Sequence, residues 1–188
     1  MTKHLTNSKI AIYPIEINDL NFIWKIAYGK KENTWMNRNG PYFNNPVYKK
    51  EEFINEVGKR WFENGNTWCI TYNNEIVGTV SYYYGDGSLK KWMEVGICIY
   101  NPEYWNKGIS TTALTLWINH LFENITDLPH IGFTTWSGNK GMMRVGEKTA
   151  MLLEGRIRKV RYWQNQYWDS IKYGVLREEW NVLRNKKQ

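Results

Sequence analysis

Two cysteines and three histidines among 188 residues leave little with which to build a metal centre or a disulfide framework. Cys69 and Cys98 lie in separate apolar segments, and His4, His120 and His130 are scattered with no partner at metal-ligand spacing. No metal is expected. No uninterrupted apolar run approaches the roughly 18 residues that a membrane span needs. Met1 to Lys9 is polar, without an apolar stretch resembling a signal peptide. The expectation is a cytoplasmic protein with no membrane partner. Internal repeats, low-complexity tracts and long linkers are also lacking, so one domain over 1–188 is expected, with a flexible charged tail over about 181–188.

Acidic residues are in deficit. Lys and Arg number 25 against 18 Asp and Glu, a formal net charge of +7, which makes a phosphate-rich cofactor or a nucleic acid electrostatically welcome. What the chain has in excess is aromatic surface, with 11 Trp and 13 Tyr. Such rings supply broad, rigid, amphipathic walls for clefts as well as core.

Residues 9 to 15 read as a strand stopped by Pro14, and Asn18-Asp19 offers a cap for a helix through Leu20, Phe22, Ile23 and Ile26. The stretch Gly29 to Pro46 mixes Gly, Asn and Pro with large contact side chains and suits a loop over an acceptor. Glu51 to Phe62 returns to helical spacing. Thr67 to Tyr72 and Ile76 to Tyr84 form a hairpin about Asn73-Asn74, and Trp92 to Tyr100 is the next strand. On that strand Glu94, Gly96, Cys98 and Tyr100 share one face. A helix from Ile109 to Phe122 carries a wide apolar arc. A strand over Ile131 to Trp136, a helix from Asn139 to Leu153 capped near Gly155, and two strands over 156–163 and 168–176 complete the chain, with Arg177 to Gln188 expected to fray.

The informative segment is the strand 92–100, the loop Asn101-Pro-Glu-Tyr-Trp-Asn-Lys-Gly, and the helix that begins at once. A helix N-terminus presents unsatisfied N–H groups and the positive end of its dipole to an anion. Gly108 permits close backbone approach, Ser110 and Thr111 add hydroxyls, and Lys107 adds charge. A pyrophosphate suits such a loop.

Glu94-Val-Gly-Ile-Cys-Ile, running through Pro102-Glu-Tyr-Trp-Asn-Lys-Gly-Ile-Ser-Thr-Thr-Ala-Leu, resembles the acetyl-CoA-binding motif of the GNAT N-acetyltransferase superfamily. Downstream, Thr135 to Met151 and Tyr173-Gly-Val-Leu-Arg-Glu-Glu-Trp resemble the branch that contains ribosomal-protein N-terminal acetyltransferases. The resemblance implies a single α/β (α+β) domain with a mixed central sheet splayed at the cofactor strand and helices on both faces. It implies acetyl-CoA as co-substrate. Its pantetheine arm would pair with the backbone at Ile97, Cys98, Ile99 and Tyr100, and its pyrophosphate would meet Trp105, Asn106, Lys107, Gly108, Ile109 and Ser110. Asn139 matches an asparagine that bonds the cofactor arm. The chain departs from the family pattern where Trp105 stands for a Gln or Arg, Ser110 for a Gly or Ala, Gly146 for a Tyr that serves as general acid, and Met142 for a Ser. No general acid is carried over.

The implied reaction is direct attack of a primary amine, on a small molecule or a protein N-terminus, upon the thioester. Glu94 is the one carboxylate on the cofactor strand and the expected base; its alternative role is a structural carboxylate held by a partner. Trp35, Tyr42, Phe43 and Tyr83 are the expected acceptor walls. Lys107, Lys140 and Arg144 are candidates for phosphate contact. Cys98 reads as packing, since no His or Asp is spaced to activate it. Arg156, Arg158, Lys159 and Arg161 with Trp163, Tyr167 and Trp168 read as the cationic face of a hairpin in preference to a nucleic-acid surface. Two alternatives to the enzyme are an idle acyl-CoA-binding module and a basic nucleic-acid or ribosome-associated protein. A homodimer through exposed aromatic surface is a further expectation.

Overall fold

The structure is a computed structural model and describes residues 4–185. Its strands are β1 (Leu5–Asn7), β2 (Ile10–Pro14), β3 (Thr67–Tyr72), β4 (Glu75–Tyr84), β5 (Met93–Ile99), β6 (His130–Trp136), β7 (Leu152–Trp163) and β8 (Gln166–Leu176). They form one mixed sheet in the order β1-β2-β3-β4-β5-β6-β8-β7, which with the helices gives the α/β class expected from the sequence. Among the described residues the backbone gathers into two compact units, one of residues 4–81 and 97–116 and the other of 82–96 and 117–185.

In the first unit β1, β2, β3 and the start of β4 pair antiparallel in sequence order. The Asn73-Asn74 turn is left-handed at both residues, with φ of 51° and 67°. That conformation matches the strand twist of a two-residue hairpin and suits Asn. Helix α1 (Leu20–Ala27) turns Leu20, Ile23 and Ala27 inward, and Phe53, Val57, Cys69, Trp35 and Tyr100 complete the core around them. The helical stretch expected over 51–62 is α2 (Lys50–Glu52), a π-helical turn Phe53–Gly58 and α3 (Lys59–Asn64). Gly78 is required where β4 meets the end of β5, because a Cβ there would stand 2.0 Å from the Cys98 carbonyl oxygen.

In the second unit β5 pairs in parallel with β6 at Met93↔Ile131 and Glu94↔Gly132. β6 and β8 pair antiparallel over seven positions, and β7 flanks β8 with two register shifts. Helix α4 (Ile109–Asn124) ends under a clamp. The Arg177 guanidinium donates to the carbonyl of Phe122 in the last turn at 2.7 Å, and to those of Ile125 at 2.5 Å and Leu128 at 2.9 Å just beyond it.

Three expectations are corrected here. The helix expected over 139–153 is α5 (Lys140–Lys148). Ala150 adopts φ 59°, Met151 N–H returns to the Gly146 carbonyl at 3.0 Å and Ala150 N–H to Glu147 at 3.1 Å, which closes the helix with the left-handed cap usually given to Gly. Gly155 is therefore no cap; it lies within β7, at a bulge. The segment from Arg177 is not frayed but forms α6 (Arg177–Asn185), because Glu179 accepts from Leu176 N–H, Trp180 is buried with its indole on Asn119, and Arg184 pairs with Glu123. Residues 186–188 of the expected tail lie outside the described residues.

Candidate active site

The loop after β5 is built from its own side chains. Asn101 accepts from Glu103 N–H at 3.2 Å and opens a 3-10 turn, Pro102–Tyr104, which Trp105 N–H closes on Pro102 at 3.0 Å. The Trp105 indole then turns back and donates to the Ile99 carbonyl at 2.9 Å, while Arg38 lies 5.2 Å over its ring. Trp105 thus ties the loop to the end of β5. Asn106 and Gly108 are both left-handed, with φ of 60° and 78°. Alternation of this kind makes backbone concavities that receive anions. The Gly108 carbonyl takes the Thr112 N–H at 3.1 Å and so starts α4, whose first N–H groups belong to Ile109, Ser110 and Thr111. Such groups have no acceptor within a helix. Lys107 Nζ stands 5.5 Å over the Tyr104 ring.

Along β5 in the same unit, Ile97 and Cys98 are partly buried, and Ile99 and Tyr100 are buried. Burial pushes the Cys98 thiol far above its ordinary value, so it is no thiolate nucleophile. The Tyr100 hydroxyl bonds Thr79 at 2.9 Å, and its ring meets Trp35 edge-on at 5.1 Å. Trp35 itself is 6% exposed and donates to the Ala27 carbonyl, which places it in the core. Tyr42 and Phe43 share a 3-10 turn, their rings 4.7 Å apart, with Phe43 largely exposed.

The second unit gathers a carboxylate cluster. The Glu94 side chain is only 7% exposed. Tyr83 of β4 donates to its Oε2 at 2.7 Å, while Thr134 of β6 and Lys172 of β8 donate to Oε1 at 2.8 and 3.2 Å. Lys172 Nζ also donates to Thr134 Oγ1 at 3.0 Å and sits 4.9 Å over the Trp92 ring. Burial opposes ionisation of Glu94, but the Tyr83 and Thr134 hydrogen bonds and the Lys172 charge outweigh it and hold the carboxyl below its ordinary value. Tyr83, expected as an acceptor wall, and Glu94, expected as base, are therefore in direct contact. Sequence reasoning missed Thr134, Lys172 and Trp92. A Lys and a Thr on alternating strand positions carry no signal until register sets Lys172 opposite Thr134.

Asn139 caps α5, its Oδ1 accepting from Met142 N–H at 3.1 Å. At Gly146 a Cβ would stand 2.8 Å from Phe133 and 2.9 Å from Tyr173, two rings stacked at 5.3 Å. Small size at this position is set by packing. Among the described residues no three His, Cys, Asp or Glu side chains are grouped to hold a metal, and no helix is long and apolar enough to cross a membrane.

The acetyltransferase (GNAT) domain family matches residues 9–151. An uncharacterized N-acetyltransferase, YnaD, of Bacillus subtilis (strain 168) is 27% identical over 180 residues, covering 95% of this chain and 99% of its own. Among solved structures, RimL, a ribosomal L7/L12 α-N-protein acetyltransferase in complex with coenzyme A, superposes with TM-score 0.74 at 16% identity over 93% of this chain and 98% of its own. A spermidine N-acetyltransferase from Vibrio cholerae in complex with CoA and spermine gives TM-score 0.72 at 19% identity over 93% and 99%. At such identities these two structures show the fold. With the family match spanning most of the sequence, the chain belongs to the GNAT family of N-acetyltransferases.

Proposed function

We propose that the protein moves the acetyl group of acetyl-CoA to a primary amine, on a small molecule or a protein N-terminus, by direct attack on the thioester. The observation that carries this reading is the backbone from Trp105 to Ser110, where two left-handed residues lead into the N-terminus of a 16-residue helix beside Lys107. The pyrophosphate meets these N–H groups. The pantetheine amides lie along the backbone at Ile97, Cys98, Ile99 and Tyr100, as an added strand would. Asn139 bonds the cofactor arm. The coenzyme A held by the two fold relatives supports the same choice of co-substrate.

In the reaction the amine nitrogen forms a bond to the acetyl carbon, the carbon–sulfur bond breaks and coenzyme A leaves as its thiol. A backbone N–H of β5 stabilises the oxyanion, and Glu94 receives the proton that the ammonium gives up. Each unit offers aromatic surface suited to an acceptor, Tyr42 and Phe43 in the first and Tyr83 in the second. Because Lys172 already neutralises Glu94, an acceptor with one amine suits the site better than a polyamine.

The test is calorimetric titration with acetyl-CoA and desulfo-CoA of the wild type and of Gly108→Glu, followed by a panel of amines. Micromolar binding lost in the variant, with turnover of at least one monoamine, supports the reading. An absence of binding by the wild type removes it, and binding without turnover of any amine leaves an acyl-CoA-binding module.

A further inference from the structure

Oε1 of Glu94 already accepts from Thr134 at 2.8 Å and from Lys172 at 3.2 Å. Two donors satisfy one carboxylate oxygen. Oε2 accepts from Tyr83 alone at 2.7 Å, which leaves one accepting position. It adjoins Tyr83, which is 52% exposed, whereas the Glu94 side chain itself is only 7% exposed. The Lys172 ammonium is fixed in turn by three contacts on two strands: Glu94 of β5, the Trp92 ring 4.9 Å away just before β5, and Thr134 of β6. Since Lys172 donates to the Thr134 oxygen, the Thr134 hydroxyl proton is turned toward Glu94.

We propose that Lys172 is a positioning residue for acetyl transfer: together with Thr134 it occupies Oε1 of Glu94 and leaves Oε2, beside Tyr83, as the oxygen that meets the acceptor amine. This inference rests on the reaction proposed above. A carboxylate buried to this degree would resist ionisation without a cation beside it, and the ammonium keeps it charged and oriented. The titratable groups that reach Glu94 are Tyr83 from β4 and Lys172 from β8, while β6 contributes only the Thr134 hydroxyl. Tyr83 is a neutral donor throughout the working range, burial and Glu94 having pushed its phenol up. Removal of the Lys172 charge therefore leaves burial opposed by neutral hydrogen bonds alone, and the Glu94 carboxyl rises.

Lys172→Met keeps the stem and removes the charge; Lys172→Arg restores it. An opposite charge at this distance moves a carboxyl by about 1–3 pH units. The ratio of the variant's kcat/KM to that of the wild type cancels the ionisation of the acceptor amine, which is common to both. For the Met variant this ratio should fall between pH 8.5 and pH 5.5, by about twofold for a rise of one unit and by tens of fold for a rise of three, and for the Arg variant it should stay flat. The same variants, labelled with carboxyl-13C glutamate and assigned with Glu94→Gln, report the Glu94 titration by NMR without any turnover. An upward move in the Met variant alone, matching the kinetic fall, supports the proposal. A Met ratio that is flat with pH, or a Glu94 titration that does not move, overturns it. A wild type that acetylates no amine while Glu94 still moves in the Met variant shows that the reaction reading has failed and not the ion-pair geometry.

Discussion

Replacement of Arg177 by Met removes the clamp at the end of α4 and keeps most of the apolar stem. Three charge-assisted hydrogen bonds are lost, to Phe122 at 2.7 Å, Ile125 at 2.5 Å and Leu128 at 2.9 Å, along with a guanidinium placed 4.8 Å over the Phe122 ring. A buried hydrogen bond to a charged group contributes about 1.5–3 kcal/mol. The Arg177 side chain is only partly buried, so water replaces part of this, and about 3 kcal/mol is the expected total with the cation–π contact included. In a chain of this size each kcal/mol moves Tm by roughly 2–4 °C, which gives a fall of about 6–12 °C. Arg177→Lys can reach one or two of the carbonyls and should recover part of the loss. Thermal unfolding followed by circular dichroism at one protein concentration measures both. A Met variant that melts within about 2 °C of the wild type would refute the assignment of the clamp as a main tie of α4.

Glu94→Gln should lower kcat/KM by about 10²–10⁴-fold, the usual span for a lost general base, with acetyl-CoA affinity by calorimetry unchanged. Gly108→Ala adopts φ 78° at a cost of about 1–2 kcal/mol but meets nothing within 4 Å, so it should melt a few degrees lower and still bind acetyl-CoA, whereas Gly108→Glu should melt similarly and lose binding. Glu94 also carries a pH-dependent share of stability. Its folded carboxyl lies below the ordinary value of 4.5, so that share is fully present above pH 4.5 and is lost as pH falls through the folded value; urea midpoints of the wild type should drop below pH 4.5 more steeply than those of Glu94→Gln.

Much of the fold was legible because its signals are local. The Asn73-Asn74 turn, the alternation along β5 and the apolar arc of α4 each follow from residue type and spacing within a few positions. The misread boundaries depend on partners remote in sequence or on unusual backbone. Ala150 takes the left-handed cap where Gly155 was expected to, and no propensity predicts that for Ala. The chain from Arg177 looks like a polar tail until Trp180 finds Asn119 and Arg184 finds Glu123, both of them 61 residues away.

The site divides in the same way. A loop suited to phosphate is a contiguous string, so the stretch from Trp105 to Ser110, proposed for that role, is read within a single segment. The surroundings of a carboxylate are assembled from other strands. Glu94 stood out as the one carboxylate on its strand, yet Tyr83 is 11 positions away, Thr134 40 and Lys172 78. The contacts these three make determine whether a buried glutamate is neutral or charged, and with it whether Glu94 can take a proton. The departures from the family pattern also gain a physical cause. Trp105, where the resemblance implies a Gln or Arg, holds the Ile99 carbonyl, and Gly146, where it implies a Tyr, is crowded by Phe133 and Tyr173. A tyrosine cannot be restored at 146 without moving two buried rings, so Gly146→Tyr should unfold the helix packing before it adds a general acid. A proton for the departing thiolate must therefore come from another donor or from water.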